Sequence, residues 1–163
     1  MTEERPMTEP EIVFMPERMI AGTVAAYTMS TRQEIPGQWQ AFFEAGYSIA
    51  NVRKGAMYGV SFGADGQGGF RYAVGVEVDP VPATLPDGLC TVGLGEGLYA
   101  RSCHFGPVSD LPANFDRLFT IWLPASRYTL REGAVFERYP EDTRNGPDGM
   151  AYEICIPVAA KPG

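Results

Sequence analysis

Two short segments, IPGQWQAFF (Ile35 to Phe43) and LPANFDRLF (Leu111 to Phe119), match in type and order at an offset of 76 residues, 35 to 111. Each runs apolar residue, Pro, two small or polar residues, an aromatic, then apolar residues three and four positions on. That spacing is helical. It places Trp39, Phe42 and Phe43 on one face of a first helix, and Phe115, Leu118, Phe119 and Trp122 on one face of a second. Pro36 and Pro112 fall in first turns, where a missing amide hydrogen costs nothing. Ser109 or Asp110 is placed to cap the second helix and Pro124 to end it. A repeat of this kind restricts the fold, because each copy has to be one small supersecondary unit.

The flanks repeat as well. MIAGTVAAY (Met19 to Tyr27) precedes the first helix as LYARSCHF (Leu98 to Phe105) precedes the second, and both read as strands. After each helix come two more strand-like runs, MYGVSFG with FRYAVGVEV and AVFERY with AYEICIPV. The loops between them, ADGQGG and PEDTRNGPDG, are rich in turn residues and make hairpins of both pairs. Each half is therefore β-α-β-β, joined through the Pro-rich VDPVPATLPDG (Val78 to Gly88). The expectation is an α+β fold, a duplicated β-α-β-β repeat forming an antiparallel sheet with one helix from each half. Halves this small cannot each close a core, so they should share one domain over residues 12–158, with halves at about 12–80 and 89–158. A flexible tail is expected over 1–11 and a short C-terminal tail over 159–163.

Composition removes several functional classes. A formal charge of −7, with 13 scattered basic residues, argues against direct binding to a nucleic-acid backbone. Cys90, Cys103 and Cys155 are odd in number and lack CxxC spacing, so neither a disulfide framework nor zinc is expected. Three plain buried thiols in a reducing cytoplasm fit better. No run approaches the ~18 apolar residues of a membrane span, and no HExxH or DxD spacing implies a metal or other cofactor.

The terminal strand AYEICIPV raises the question of function. Alternation puts Tyr152, Ile154 and Ile156 on one face, with Glu153, Cys155 and Pro157 on the other. Its repeat partner FRYAVGVEV sets Tyr72, Val74, Val76 and Val78 against Ala73, Gly75 and Glu77. The second face is thus made of small residues plus an acid, which leaves room over the sheet. Two readings follow: Glu153 is an ordinary surface acid on a half-exposed sheet, or it is a carboxylate in an apolar cleft, where burial raises its pKa and a cationic ligand lowers it again.

Taken in order, the repeat, WLPASRY (Trp122 to Tyr128), FERY (Phe136 to Tyr139) and the terminal E-x-x-x-P-V (Glu153 to Val158) resemble the GyrI-like family. That family includes gyrase inhibitors, the effector domains of AraC- and MerR-type multidrug regulators, and cyclopropanoid hydrolases. The resemblance runs from about Ile12 to Val158. It implies a ligand cleft between the two helices, over the sheet, in which the glutamate before the final Pro-Val meets the ligand, a position matched by Glu153. It also implies aromatic lining, for which Trp39 and Tyr27 are the positional matches; Trp122 matches the family's Trp-Leu-Pro and is either lining or core, and Cys155, on the face of Glu153, is a further ligand-binding candidate. The chain departs from the family's Ser-Gly-Tyr turn at ASRY.

Other motifs are weaker. His104 has no orienting partner in sequence and reads as turn-supporting, with Cys103 on the opposite face of its strand. GADGQGG lacks GK[ST] and precedes a strand, so it is a hairpin loop rather than a phosphate site. FERY is expected to turn either Phe136 or Glu137 inward, and Glu137 to make structural hydrogen bonds. The leading functional reading is a binding module for amphipathic, aromatic or cationic small molecules. The second is a hydrolase of strained electrophiles in which Glu153 activates water. The third is a protein-interaction module with an exposed apolar patch. The repeat consumes the chain and leaves no helix-turn-helix, so any DNA regulation is expected to need a partner protein.

Overall fold

The computed structural model describes residues 9–162, and the tail expected over 1–11 lies largely outside the described residues. In chain order the elements are β1 (Glu11–Met15), β2 (Arg18–Thr28), α1 (Ile35–Ala45), β3 (Ala56–Phe62), β4 (Gly69–Val78), β5 (Cys90–Leu94), β6 (Gly97–Gly106), α2 (Leu111–Arg117), β7 (Tyr128–Leu130), β8 (Val135–Pro140) and β9 (Met150–Ala160). The last strand takes in two residues expected to be tail. All pairings are antiparallel, in the order β1-β6-β9-β8-β3-β4-β2-β5, and β7 pairs with the end of β9.

The first half contains one strand more than β-α-β-β and the second half two, one of them the three-residue β7. The extra strands that open each half, β1 and β5, are five residues long and pair with the opposite half, β1 with β6 and β5 with β2. Their partners lie far away in sequence, so no local hairpin signal marks them. The exchange is symmetric: Met15 faces Gly97 and Arg18 faces Leu94, the same pair shifted by 79 residues (15 to 94, 18 to 97). A pseudo-twofold axis therefore runs through the β3–β8 pair at the centre of the sheet.

Pro36 and Pro112 occupy first turns as the spacing predicts, and Gly46, at φ 60°, closes α1 in the left-handed conformation. Asp110 stands at the N-cap of α2, but its side chain makes no capping bond. α2 does not stop at Pro124. It continues through a π-helical turn (Leu118–Trp122) into a last turn (Leu123–Ala125), where Pro124 has first-turn geometry.

Both faces of the sheet are covered. On one face α1 packs Phe42 onto Tyr72 and Val74, while α2 packs Leu118 onto Tyr152, Ile154, Ile156 and Val158. Phe43, expected on the buried face of α1, is instead 61% exposed. The other face holds a second core of Ile20, Tyr58, Val60, Ala73, Leu94, Tyr99, Phe136 and Cys155. Complete burial of Phe136 alone contributes about 2–3 kcal/mol. The residues alternating with the helix-facing set are therefore core rather than the floor of an open cleft. Phe136 and Glu137 are both buried, on opposite faces, because the sheet carries a packed core on each face at β8.

Candidate functional site

Glu137 lies at the middle of β8, opposite Gly59 of β3, on the face that carries the helices. Its cross-strand neighbour on β9 is Ile154, which belongs to the α2 core. The residue is 3% exposed. Tyr72, from β4, donates its phenol hydrogen to Glu137 Oε1 at 2.6 Å, and Tyr139 donates to the same oxygen at 3.3 Å. The indole of Trp39, on α1, donates to the Tyr72 hydroxyl at 3.1 Å. With that lone pair occupied, the Tyr72 hydrogen is directed at the carboxylate. Trp39 also stands edge-on to Tyr139, ring centres 5.0 Å apart.

Local structure holds this cluster in place. Gln38, beside Trp39, donates to the main-chain oxygens of Thr23 and Tyr72 at 3.1 and 3.0 Å and accepts from the Tyr27 hydroxyl at 2.7 Å. One side chain thus ties α1 to both β2 and β4. Gly59 is required for space: a Cβ there would overlap the Tyr72 hydroxyl and lie 2.8 Å from Glu137 Oε1.

The electrostatics are unusual for a carboxylate. No salt bridge among the described residues includes Glu137. Burial pushes its pKa up to about 7, against the opposing pull of the two phenol hydrogen bonds. Burial raises Tyr72 and Tyr139 too, and the neighbouring carboxylate adds to both shifts.

Glu153 occupies a different environment, and its expected place between the helices is corrected here. It follows Tyr152 and precedes Ile154, both of which face α2, so alternation turns it to the opposite face. There it pairs with Arg138, Nη1 to Oε2 at 3.0 Å, and lies across from Cys103. A carboxylate neutralised by a guanidinium is not awaiting a cation.

The other candidates divide as follows. Trp39 reaches the Glu137 cluster. Tyr27 reaches Gln38 and stacks obliquely on Phe70, with centres 6.1 Å apart. Trp122 packs parallel to Tyr128 beneath the end of α2. Cys155 is a core residue on the far face, and burial raises its thiol. Cys90 and Cys103 are exposed, not buried. His104 is in mid-strand rather than at a turn, stacked on Tyr152 at 5.2 Å with Ser102 Oγ 2.6 Å from its Nε2. Sequence reasoning missed Tyr72, Tyr139 and Gly59, and gave Glu137 only a structural role. The available signal was FERY, whose alternation sets Glu137 and Tyr139 on one face.

The profile of the GyrI-like small molecule binding domain matches residues 8–159. The chain belongs to the GyrI-like family. No curated protein sequence matches this GyrI-like chain significantly. Its fold is shared with SAV2435, a structure solved bound to tetraphenylphosphonium (TM-score 0.74, 17% identity, 93% of this chain and 94% of that one). It is shared also with the EcmrR C-terminal domain (TM-score 0.66, 12% identity, 94% and 98%). A hydrolase from Listeria innocua is similar at TM-score 0.56 and 14% identity, over 95% and 94% of the two chains. At these identities the likeness concerns the fold. Within this GyrI-like domain, no described helix is long and apolar enough to cross a membrane. No described group of three His, Cys, Asp or Glu side chains is arranged for a metal.

Proposed function

We propose that this GyrI-like domain binds aromatic, amphipathic cations between α1 and α2, with Glu137 as the anionic floor of the site. One observation carries the reading: the only side chains that donate to the buried Glu137 carboxylate are two phenols, and no described salt bridge includes it. A buried charge of that kind is costly until a counter-charge arrives. Aromatic groups supply the rest. Trp39 and Phe43 come from α1, and Phe115 and Phe119 are stacked at 6.0 Å on α2 in the same cluster as Tyr139. Ring faces contribute about 0.5–2 kcal/mol per cation contact. Tyr27 is held by Gln38 and Phe70 and Trp122 by Tyr128, while Glu153 and Cys155 belong to the opposite face. The fold neighbour solved with tetraphenylphosphonium makes that cation a suitable probe. Such a module serves as a sensor or sequestering protein for its ligand in a reducing cytoplasm.

The deciding experiment titrates tetraphenylphosphonium into wild type, Glu137→Gln and Glu153→Gln, following Trp fluorescence. Affinity should fall about tenfold or more in Glu137→Gln, as expected for losing a desolvated charge partner, and stay unchanged in Glu153→Gln. Equal binding by Glu137→Gln refutes the assignment.

A hydrolase is the second reading. A carboxylate titrating near 7 in an apolar site suits a general base that activates water against a strained electrophile. Mass spectrometry of bound ligand separates the two, since a hydrated product made by wild type and not by Glu137→Gln identifies the enzyme.

A further inference from the structure

Glu137 is buried, so something has to neutralise it when no ligand is bound. Both phenols donate to Oε1, Oε2 receives no hydrogen bond from a described side chain, and the main chain of Glu137 itself adds a weaker donor to the carboxyl group. The groups facing the carboxylate come from every surrounding element. Its own strand contributes Tyr139, β4 contributes Tyr72, and β9 contributes Ile154 and, one ring further, Tyr152, which takes a hydrogen bond from Asn114 of α2. β3 presents Gly59, α1 presents Trp39, and α2 adds Phe115 and Phe119 to the adjoining cluster. None of these is a cation. The guanidinium on β8, that of Arg138, lies on the other face in its pair with Glu153.

Resting on the reading above, we propose that the site exchanges a proton for its ligand: the empty cleft holds Glu137 as the neutral acid with its proton on Oε2, and an entering monocation drives that proton out to solvent. The donor pattern fits this placement. Two O–H groups converging on one oxygen match the carbonyl-type oxygen of a carboxylic acid, which leaves the other oxygen for the proton. Burial without a counter-ion favours the acid form, in line with the upward shift to about 7. When the cation arrives, the O–H bond of the acid breaks, the electron pair stays on the carboxylate, and buffer takes the proton. Charge inside the cleft is zero before and after. The site therefore accepts two ligand classes in opposite protonation states. Hydrophobic monocations bind the ionised form, and neutral molecules of similar shape bind the protonated one.

The test is calorimetric titration of tetraphenylphosphonium into the whole chain in buffers of different ionisation enthalpy, repeated from about pH 5.5 to about pH 8. Triphenylphosphine oxide serves as the neutral probe. Proton release should approach one per cation at the acid end and vanish at the alkaline end. Cation affinity should rise about tenfold per pH unit below 7 and then level off. The neutral probe should bind without proton release and weaken above pH 7. Cation binding that depends on Glu137, yet releases no proton and has a flat pH profile, overturns the exchange and leaves the site assignment intact. Binding that is equal in Glu137→Gln, or absent at every pH, overturns the assignment and the exchange together. The wild-type measurements decide the question even if Glu137→Gln does not fold.

Discussion

Gly59 and Glu137 are register partners at the centre of the β3–β8 pair, and the missing side chain of the first makes room for the carboxylate of the second. The pseudo-twofold axis passes between them. The two halves of the repeat would place equivalent residues here, and the chain has made them as different as two residues can be. Only one acid fits at such a point, and the tyrosine that holds it, Tyr72, approaches through the space left by glycine.

Gly59→Ala tests this relationship directly. The new Cβ would meet the Tyr72 hydroxyl and crowd Glu137, so the hydrogen bond must open. A loss of about 1–3 kcal/mol in urea unfolding is expected, together with weaker tetraphenylphosphonium binding. Wild-type stability and affinity in this variant would show that the close approach has no energetic consequence.

The stability of the apo protein should depend on Glu137 with a definite sign. The native group titrates at about 7 and the ordinary value is 4.5, so the folded state holds the proton more tightly than the unfolded chain. The resulting contribution is present below pH 4.5 and is lost as pH rises to about 7, by roughly 3 kcal/mol in all. Glu137→Gln cannot titrate, so its stability relative to wild type should improve from acid to neutral pH. Parallel melting curves at every pH would contradict this.

Tyr72→Phe removes the shorter of the two phenol bonds to Glu137 and the acceptor of the Trp39 indole. Since that bond lowers the pKa of the acid, the pH at which proton release is half complete should move upward. Tyr139→Phe, which removes the longer bond, should shift it less. The reverse order would show that the 3.3 Å contact matters more than the 2.6 Å one.

Glu153→Gln should cost stability and spare the ligand. Its pair with Arg138 is partly exposed, with side-chain exposures of 15% and 34%, so about 1 kcal/mol is expected. The loss should read out in urea unfolding, with tetraphenylphosphonium affinity unchanged. A loss of affinity with retained stability would return Glu153 to the site.

The duplication was readable because it rests on local chemistry. Pro36 and Pro112 can begin helices but not continue them, and aromatic spacing of three and four marks a face whatever lies beneath it. The hairpin loops were legible for the same reason: Asp65 accepts the main-chain amides of Gln67 and Gly69 within the β3–β4 turn, a bond pattern a short loop carries by itself. Alternation also divided FRYAVGVEV and AYEICIPV correctly into two faces.

Which face was which could not be read from alternation. A period of two separates Tyr152 from Glu153 but does not say where the helices dock, and both faces proved to be buried. The second-face core draws on β1 and β5, which are exchanged between the halves, a pairing of residues 68 (22 to 90) to 90 (11 to 101) positions apart that has no local signature. From the sequence alone come the repeat, its helices and hairpins, and the resemblance to GyrI-like domains. The tertiary structure alone decides which of two glutamates is unpaired, because a guanidinium's position across neighbouring strands, and not its place in the chain, determines that Glu153 is neutralised and Glu137 is not.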